Sequence, residues 1–299
     1  MAAEEEAEEA RSADPPTRPA PPGLVLVATP IGNLGDLSPR ALAALKEADA
    51  ILCEDSRVTG ALLARHGIAA TMIPLHDHNE AAQAPRLVER MKAGLRCALV
   101  SDAGMPLVSD PGYRLVRAAI EAGIGVSAIP GPNAAVTALA LSGLPPHPFL
   151  FLGFLPARGG PRAAEIARLR QVERAGLSAT LVLYEAPHRL AEALAALAEG
   201  LGPDRPAAVA RELTKRFEEV RRGSLGALAA HYATAEARGE ICLVIGPAPE
   251  DTAASEDEVT AQLRAALAAG LSLRDAAASV AEATGRKRRE VYRLALDLA

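Results

Sequence analysis

The stretch Ser101-Asp102-Ala103-Gly104-Met105-Pro106 decides how this chain reads. It follows Cys97-Ala98-Leu99-Val100, a short apolar run of the kind that forms a buried parallel strand. The strand therefore ends in a turn with one carboxylate, one glycine and one proline. Gly104 lets backbone approach a ligand closely, and Asp102 can accept hydrogen bonds there. Next, Ser109-Asp110-Pro111-Gly112 predicts a helix with Asp110 as N-cap and Pro111 at its first position, ending near Ala122 before Gly123. A second buried strand, Val126-Ser127-Ala128-Ile129, empties into Pro130-Gly131-Pro132-Asn133-Ala134. Two strand–turn–helix units thus put two special turns on one sheet edge, where open α/β sheets bind ligands.

The same pattern holds on both sides. Gly23-Leu24-Val25-Leu26-Val27-Ala28 predicts the first strand, Thr29 to Asp36 a Gly/Pro loop, and Ser38-Pro39 a helix start. That loop is not a GxGxxG fingerprint, which disfavours a dinucleotide site. Ala50-Ile51-Leu52-Cys53 is the next strand and delivers Glu54-Asp55-Ser56-Arg57 at its end. Leu75 to Glu80 reads as a polar loop capping a helix near Glu80, since His76 and His78 are poorly spaced for a metal. Leu144-Pro145-Pro146-His147-Pro148 breaks regular structure and marks a domain boundary.

Beyond it, Phe149 to Pro156 predicts a core strand, and Arg158-Gly159-Gly160-Pro161-Arg162 a flexible basic loop before an Arg-rich helix. Thr180 to Tyr184, Ala207 to Ala210 and Ile241 to Ile245 predict three more strands. The first two end in Glu185-Ala186-Pro187-His188-Arg189 and Arg211-Glu212-Leu213-Thr214-Lys215-Arg216. After a linker from Pro247 to Asp257 the chain turns helical with a helix–turn–helix-like rhythm. Arg286, Lys287, Arg288 and Arg289 open its last helix, as a nucleic-acid contact or as part of a capping bundle.

Composition bounds these readings. A chain of 299 residues, 49% hydrophobic, can bury one large core or two modest ones. No apolar run approaches the roughly 18 residues of a membrane helix. Cys53, Cys97 and Cys242 each lie in a strand-like run, read as buried hydrophobes of a reducing, cytoplasmic protein without a metal framework. The net charge of −5 includes −4 from residues 1–22, an Ala/Glu- and Pro-rich stretch that reads as a disordered tail. The remaining −1 is neutral evidence on RNA. What the sequence offers is turns, one deep carboxylate and small residues, a site for a ligand that brings its own reactivity.

The turns also carry a resemblance. Val27-Ala28-Thr29-Pro30-Ile31-Gly32-Asn33, Glu54-Asp55-Ser56-Arg57, Ser101 to Pro106, Ile129 to Ala134, Tyr184 to Arg189 and Arg211 to Lys215 occur in this order. In these the chain resembles the tetrapyrrole methylase superfamily, most closely its ribosomal RNA small subunit methyltransferase I family. The resemblance implies two α/β domains with the cofactor cleft between them, at 23–145 and 146–248, and a small helical segment at 256–299. It implies S-adenosylmethionine as cofactor, contacted by Pro30, Asp102, Ala103, Gly104, Met105, Asn133, Ala134, Leu183, Tyr184 and Glu240. The implied reaction is 2′-O-ribose methylation of a cytidine in 16S ribosomal RNA, by a homodimer acting within the small subunit.

Glu212, Lys215, Asp55 and Glu54 are the candidates for helping the hydroxyl lose its proton. Asp55–Arg57 and Glu212–Lys215 read equally well as ion pairs that brace loops. Arg57, Arg158, Arg162, Arg211 and the basic run 286–289 are the candidate RNA contacts. Two alternatives stay open: a tetrapyrrole C-methyltransferase and a non-catalytic RNA-binding assembly factor.

Overall fold

The computed structural model describes residues 23–249 and 256–298; the acidic tail read at 1–22 and most of the linker lie outside them. Two compact units divide between Ala134 and Ala135. The irregular stretch 144–148, where the sequence placed its boundary, falls inside the second unit.

The first unit is a five-stranded, all-parallel sheet. Its strands are β1 (Gly23–Val27), β2 (Ala50–Cys53), β3 (Met72–Pro74), β4 (Cys97–Val100) and β5 (Gly125–Ile129), in the order β3-β2-β4-β1-β5. Helices α1 (Pro39–Glu47), α2 (Ser56–Arg65), α3 (Asp77–Lys92) and α4 (Tyr113–Glu121) connect them. Successive residues of a strand point to opposite faces, and the core divides accordingly. Leu24, Leu52 and Leu99 pack on one side with Leu87 and Leu115, while Val25, Ile51 and Val100 pack on the other with Leu45 and Leu63. Both faces are therefore apolar, which is why these strands read as continuous hydrophobic runs.

Cap chemistry follows the sequence at α1, where the Ala41 amide donates to Ser38 Oγ at 3.1 Å. It departs from it at α4. The N-cap is Gly112 at φ +124°, not Asp110, and a glycine has no side chain with which to cap. Glu80, buried in α3, supplies the acceptor instead, taking the Leu115 amide at 2.9 Å. Asp110 is thereby free for another environment.

The second unit begins one residue into α5 (Ala134–Ser142) and holds a mixed sheet. Its strands are β6 (Phe149–Phe154), β7 (Thr180–Glu185), β8 (Pro206–Arg211), β9 (Glu219–Ser224) and β10 (Ile241–Ile245), ordered β6-β7-β10-β8-β9. Helices α6 (Gly159–Arg174), α7 (Leu190–Leu201) and α8 (Leu225–Tyr232) cover it through Ile166, Leu194 and Leu228. β6 is an edge strand and not a core one, leaving Phe149 and Phe154 exposed. The expected flexible loop at 158–162 is mostly the first turn of α6, which begins at Gly159.

Helices α9 (Glu256–Ala268), α10 (Leu273–Thr284) and α11 (Arg288–Leu296) pack around Val259, Leu263, Val280 and Val291. They are tied to α6: Glu258 bridges Arg170 and Arg174, and a Cβ at Gly285 would sit 2.5 Å from the Arg174 carbonyl. The Arg-rich face of α6 is thus largely engaged.

Within this unit Arg205 and Glu173 form a buried bidentate pair, Nη1 to Oε2 at 2.8 Å and Nη2 to Oε1 at 2.5 Å. The Arg205 Nε also donates to the Gly246 carbonyl at 2.8 Å. Removing one partner strands a buried charge. Glu173→Gln should lower the unfolding free energy by about 3–5 kcal/mol, measured by urea denaturation. Arg57→Ala, which breaks an exposed and solvent-screened pair, should leave the urea midpoint nearly where it was.

Candidate active site

In the first sheet β1 feeds β2 on one side while β4 feeds β5 on the other, so the chain changes direction between the neighbours β1 and β4. Their carboxyl ends are the topological switch point, where open sheets take ligands. A small hydrogen-bonded frame closes it. The Thr29 amide donates to the Gly104 carbonyl at 2.9 Å, and the Gly104 amide returns to the Thr29 carbonyl at 3.1 Å. The Thr29 hydroxyl donates to the Ser101 carbonyl at 3.1 Å, and the Ser101 hydroxyl to the Gly104 carbonyl at 3.2 Å.

Gly104 stands at φ +87°, and a Cβ there would lie 3.2 Å from Ile31 and 3.4 Å from the Pro132 carbonyl. A β-branched side chain at that position would therefore strain the fold as well as crowd the site. From the third turn, Gly131 comes so near β1 that its Cβ would be 2.9 Å from that of Ala28. Pro30, Asp102 to Met105 and Asn133 are on the loops after β1, β4 and β5, and Ala134 begins the helix that follows. Beside it opens a pocket of about 230 Å³, lined by Thr29, Pro30, Leu62, Ser101 and Asp102 among others.

Carboxylates cluster around Asp102 at the pocket's mouth, while Arg65 also lines the pocket. Asp102 Oδ1 accepts the Asp55 amide at 3.2 Å, yet desolvation raises its pKa, and the Asp55 carboxylate adds to that. Desolvation, then the charges of Asp102 and Asp77, raise Glu54. Asp110, which the sequence reading missed, belongs to this group. Burial and then the Glu54 charge push its pKa up to about 6, against a bond with the Ser101 side chain. Its Ser-Asp-Pro-Gly context looks like a helix cap, so only the fold could have shown this. Asp55 behaves otherwise. It caps α2 through the Arg57 amide at 2.8 Å and pairs with the Arg57 guanidinium at 2.6 Å. These bonds hold it down at about 2, making it a poor proton acceptor.

The second sheet collects the remaining candidates on one edge. Ile241 is in register with Glu185 on one side and Arg211 on the other, and Phe154 with Tyr184. The Tyr184 ring lies 5.0 Å from Phe151 and 5.7 Å from Phe154. Leu183, by contrast, is fully buried, and its side chain fills the core.

The loop after β8 is strained: Glu212 and Thr214 adopt φ +51° and +65°. Glu212 folds over Gly239, where a Cβ would come within 2.1 Å of its Oε1. There Glu212 Oε1 accepts the Glu240 amide at 3.1 Å and Lys215 Nζ at 2.8 Å. Lys215 Nζ also donates to Glu240 Oε2 at 3.0 Å. Burial pulls the Lys215 pKa down, but the two carboxylates outweigh it and hold the ammonium above the usual lysine value. The bond from Lys215 in turn lowers Glu212.

A model of the Tetrapyrrole (Corrin/Porphyrin) Methylases matches residues 23–229, and one of the RsmI C-terminal HTH domain matches 253–299. A curated Ribosomal RNA small subunit methyltransferase I from Mesorhizobium japonicum is 48% identical over 284 residues, 95% of this chain and 94% of the relative. The chain belongs to the ribosomal RNA small subunit methyltransferase I family. Another curated member, from Synechocystis sp., is 46% identical over 92% of this chain and 98% of its own. The solved uroporphyrin-III C-methyl transferase of Thermus thermophilus, complexed with S-adenosyl homocysteine, shares the fold at 21% identity. Its TM-score is 0.51, with 75% of this chain and 96% of that one covered. The chain is accordingly a methyltransferase of the two-sheet α/β kind.

Arg162 is buried against Glu192 at 2.6 Å and does not reach a surface. Arg211 is held by Glu219 at 2.6 Å, and Arg158 is exposed beside α6. Arg286 and Lys287 precede α11, so only Arg288 and Arg289 occupy its first turn.

Asp110 gives the mouth a measurable signature. Its folded pKa is raised from 3.8, so the stability it contributes is complete below about pH 4 and is lost as pH rises through about 6. Asp110→Asn cannot ionise. Relative to the parent chain it should gain about 1 kcal/mol at pH 8, screening by solvent allowed for, and nothing at pH 4. Urea midpoints at the two pH values measure the difference.

Proposed function

We propose that this methyltransferase uses S-adenosylmethionine to methylate a cytidine 2′-oxygen in small-subunit ribosomal RNA. The observation that carries the reading is the Lys215 ammonium clamped by Glu212 and Glu240 on the edge of the second sheet. The names of the relatives and the C-terminal match favour ribosomal RNA over a tetrapyrrole as acceptor. In this reading the chain works in the cytoplasm as a homodimer on the assembled subunit.

The first unit fits the cofactor. Asp102, Asp110 and Glu54 gather negative charge where a sulfonium cation would sit, and close backbone approaches at Gly104 and Gly131 leave a shaped mouth. Pro30, Asp102 to Met105, Asn133 and Ala134 would line it. When bound, S-adenosylmethionine supplies an electrophilic methyl group.

The chain's own task is to position the acceptor and ease loss of its proton. Lys215 does the second by charge: a fixed ammonium stabilises an oxygen becoming anionic. Glu212 and Glu240 orient it, and the strained backbone of the loop holds Glu212 over Gly239. A carboxylate lowered by its lysine partner is a weak base, so the pair acts through charge on the oxygen. Lys287, Arg288 and Arg289, all exposed, supply backbone contacts to RNA.

Incubation with methyl-labelled cofactor and small subunits, naked ribosomal RNA or a tetrapyrrole precursor tests this. Label should enter RNA as 2′-O-methylcytidine, identified by mass spectrometry of the nucleosides, and the tetrapyrrole should stay unlabelled. Lys215→Met should cut turnover at saturating RNA by about a hundredfold or more while cofactor affinity is unchanged. Labelled tetrapyrrole, or full turnover in Lys215→Met, contradicts the reading.

A further inference from the structure

Two residues beyond Lys215, the loop between β8 and β9 carries Phe217, a ring left 65% exposed. A single exposed apolar residue is ordinary on a protein surface. This one is presented on a braced loop. The Lys215 amide donates to the Glu212 carbonyl, and the Glu218 amide to the Lys215 carbonyl. The Thr214 amide is held by Glu218 Oε2 at 2.6 Å, and Arg211 is tied to Glu219 where the loop returns. The positive φ values of Glu212 and Thr214 fix the path still further.

Phe217 also has a cationic neighbour. The Arg216 guanidinium carbon lies 5.5 Å from the ring centroid, within cation–π range. No carboxylate of the described residues pairs with Arg216, although Glu212, Glu218, Glu219 and Glu240 are all nearby in the loop and its support. A flat ring with a guanidinium over it that no described carboxylate pairs with, next to a clamped ammonium, is the chemistry that receives an unstacked nucleobase and its phosphate.

We propose that Phe217, with Arg216, is a stacking platform for a base of single-stranded RNA adjacent to the nucleotide being methylated. The inference rests on the reading that RNA is the acceptor, and it gives the β8–β9 loop two tasks. Lys215 addresses the acceptor oxygen, and Phe217 fixes the register of the strand that carries it. Because an aromatic face accepts every base, the platform sets position and not sequence. The rival occupant of an exposed ring is a second copy of this chain.

The chain has no tryptophan, so Phe217→Trp installs a single indole fluorophore at the platform. Titrated with a short cytidine-containing single-stranded RNA, and separately with small subunits, the emission of this variant should be quenched. Quenching should saturate where RNA binding by the parent chain does. Phe217→Ala should weaken RNA affinity, or raise KM for RNA, by about five- to a hundredfold. Phe217→Trp should restore it, and cofactor affinity should be the same in all three.

Parent-like RNA affinity and KM in Phe217→Ala, or unquenched indole emission from Phe217→Trp at saturating RNA, overturns the platform. Emission that shifts with protein concentration in the absence of RNA overturns it in favour of a contact between copies. If the parent chain itself neither binds nor methylates RNA, the acceptor reading fails first and the platform with it.

Discussion

The pair of backbone hydrogen bonds between Thr29 and Gly104 is the constraint on which the first unit's site depends. Strands β1 and β4 are neighbours whose connections leave in opposite directions, so their terminal loops would otherwise diverge. The bridge joins them, and the Thr29 and Ser101 hydroxyls satisfy the buried carbonyls that the turn exposes. The same turn brings Asp102 Oδ1 to the Asp55 amide. The cost of the arrangement is local: a left-handed Gly104 and raised pKa values for Asp102 and Asp110. Such strain and electrostatic frustration concentrate where a fold is used.

The second unit solves a similar problem with charge. Its loop after β8 holds two non-glycine residues in the left-handed region, and Gly239 leaves the space into which Glu212 folds. The outcome is an ammonium between two carboxylates at a sheet edge. Glu212 is oriented by more than the ion pair, since it also takes the Glu240 amide and gives its own amide to the Glu240 carbonyl. A charge fixed in this way needs little reorganisation when an oxygen beside it becomes anionic.

Much of this was legible in the residues. The strands buried on both faces announce themselves as apolar runs, and β1, β2, β4 and β10 lie where those runs lie. Edge strands were harder. Glu219-Val220-Arg221-Arg222-Gly223-Ser224 forms β9 with no apolar pattern because it pairs on one side only. β6, rich in phenylalanine, has the composition of a core strand and is also an edge. Local cap rules found α1 and misplaced the start of α4, because Glu80, 35 residues away, does the capping. Arg162 lies in a basic run and faces inward to Glu192, a contact no spacing reveals. The motif residues Thr29 to Asn33 and Ser101 to Pro106 lie just beyond the carboxyl ends of β1 and β4, where apolar runs give way to Gly/Pro turns.

The central claim is that the bridged loops of the first unit hold the cofactor. Amide hydrogen exchange with and without S-adenosylmethionine tests it most directly. Slowed exchange is expected at the amides of residues 31–33, 102–105, 131, 133 and 134, at cofactor concentrations that calorimetry shows to be saturating. Saturating binding that leaves exchange in all these segments unchanged, and slows it elsewhere, would contradict it.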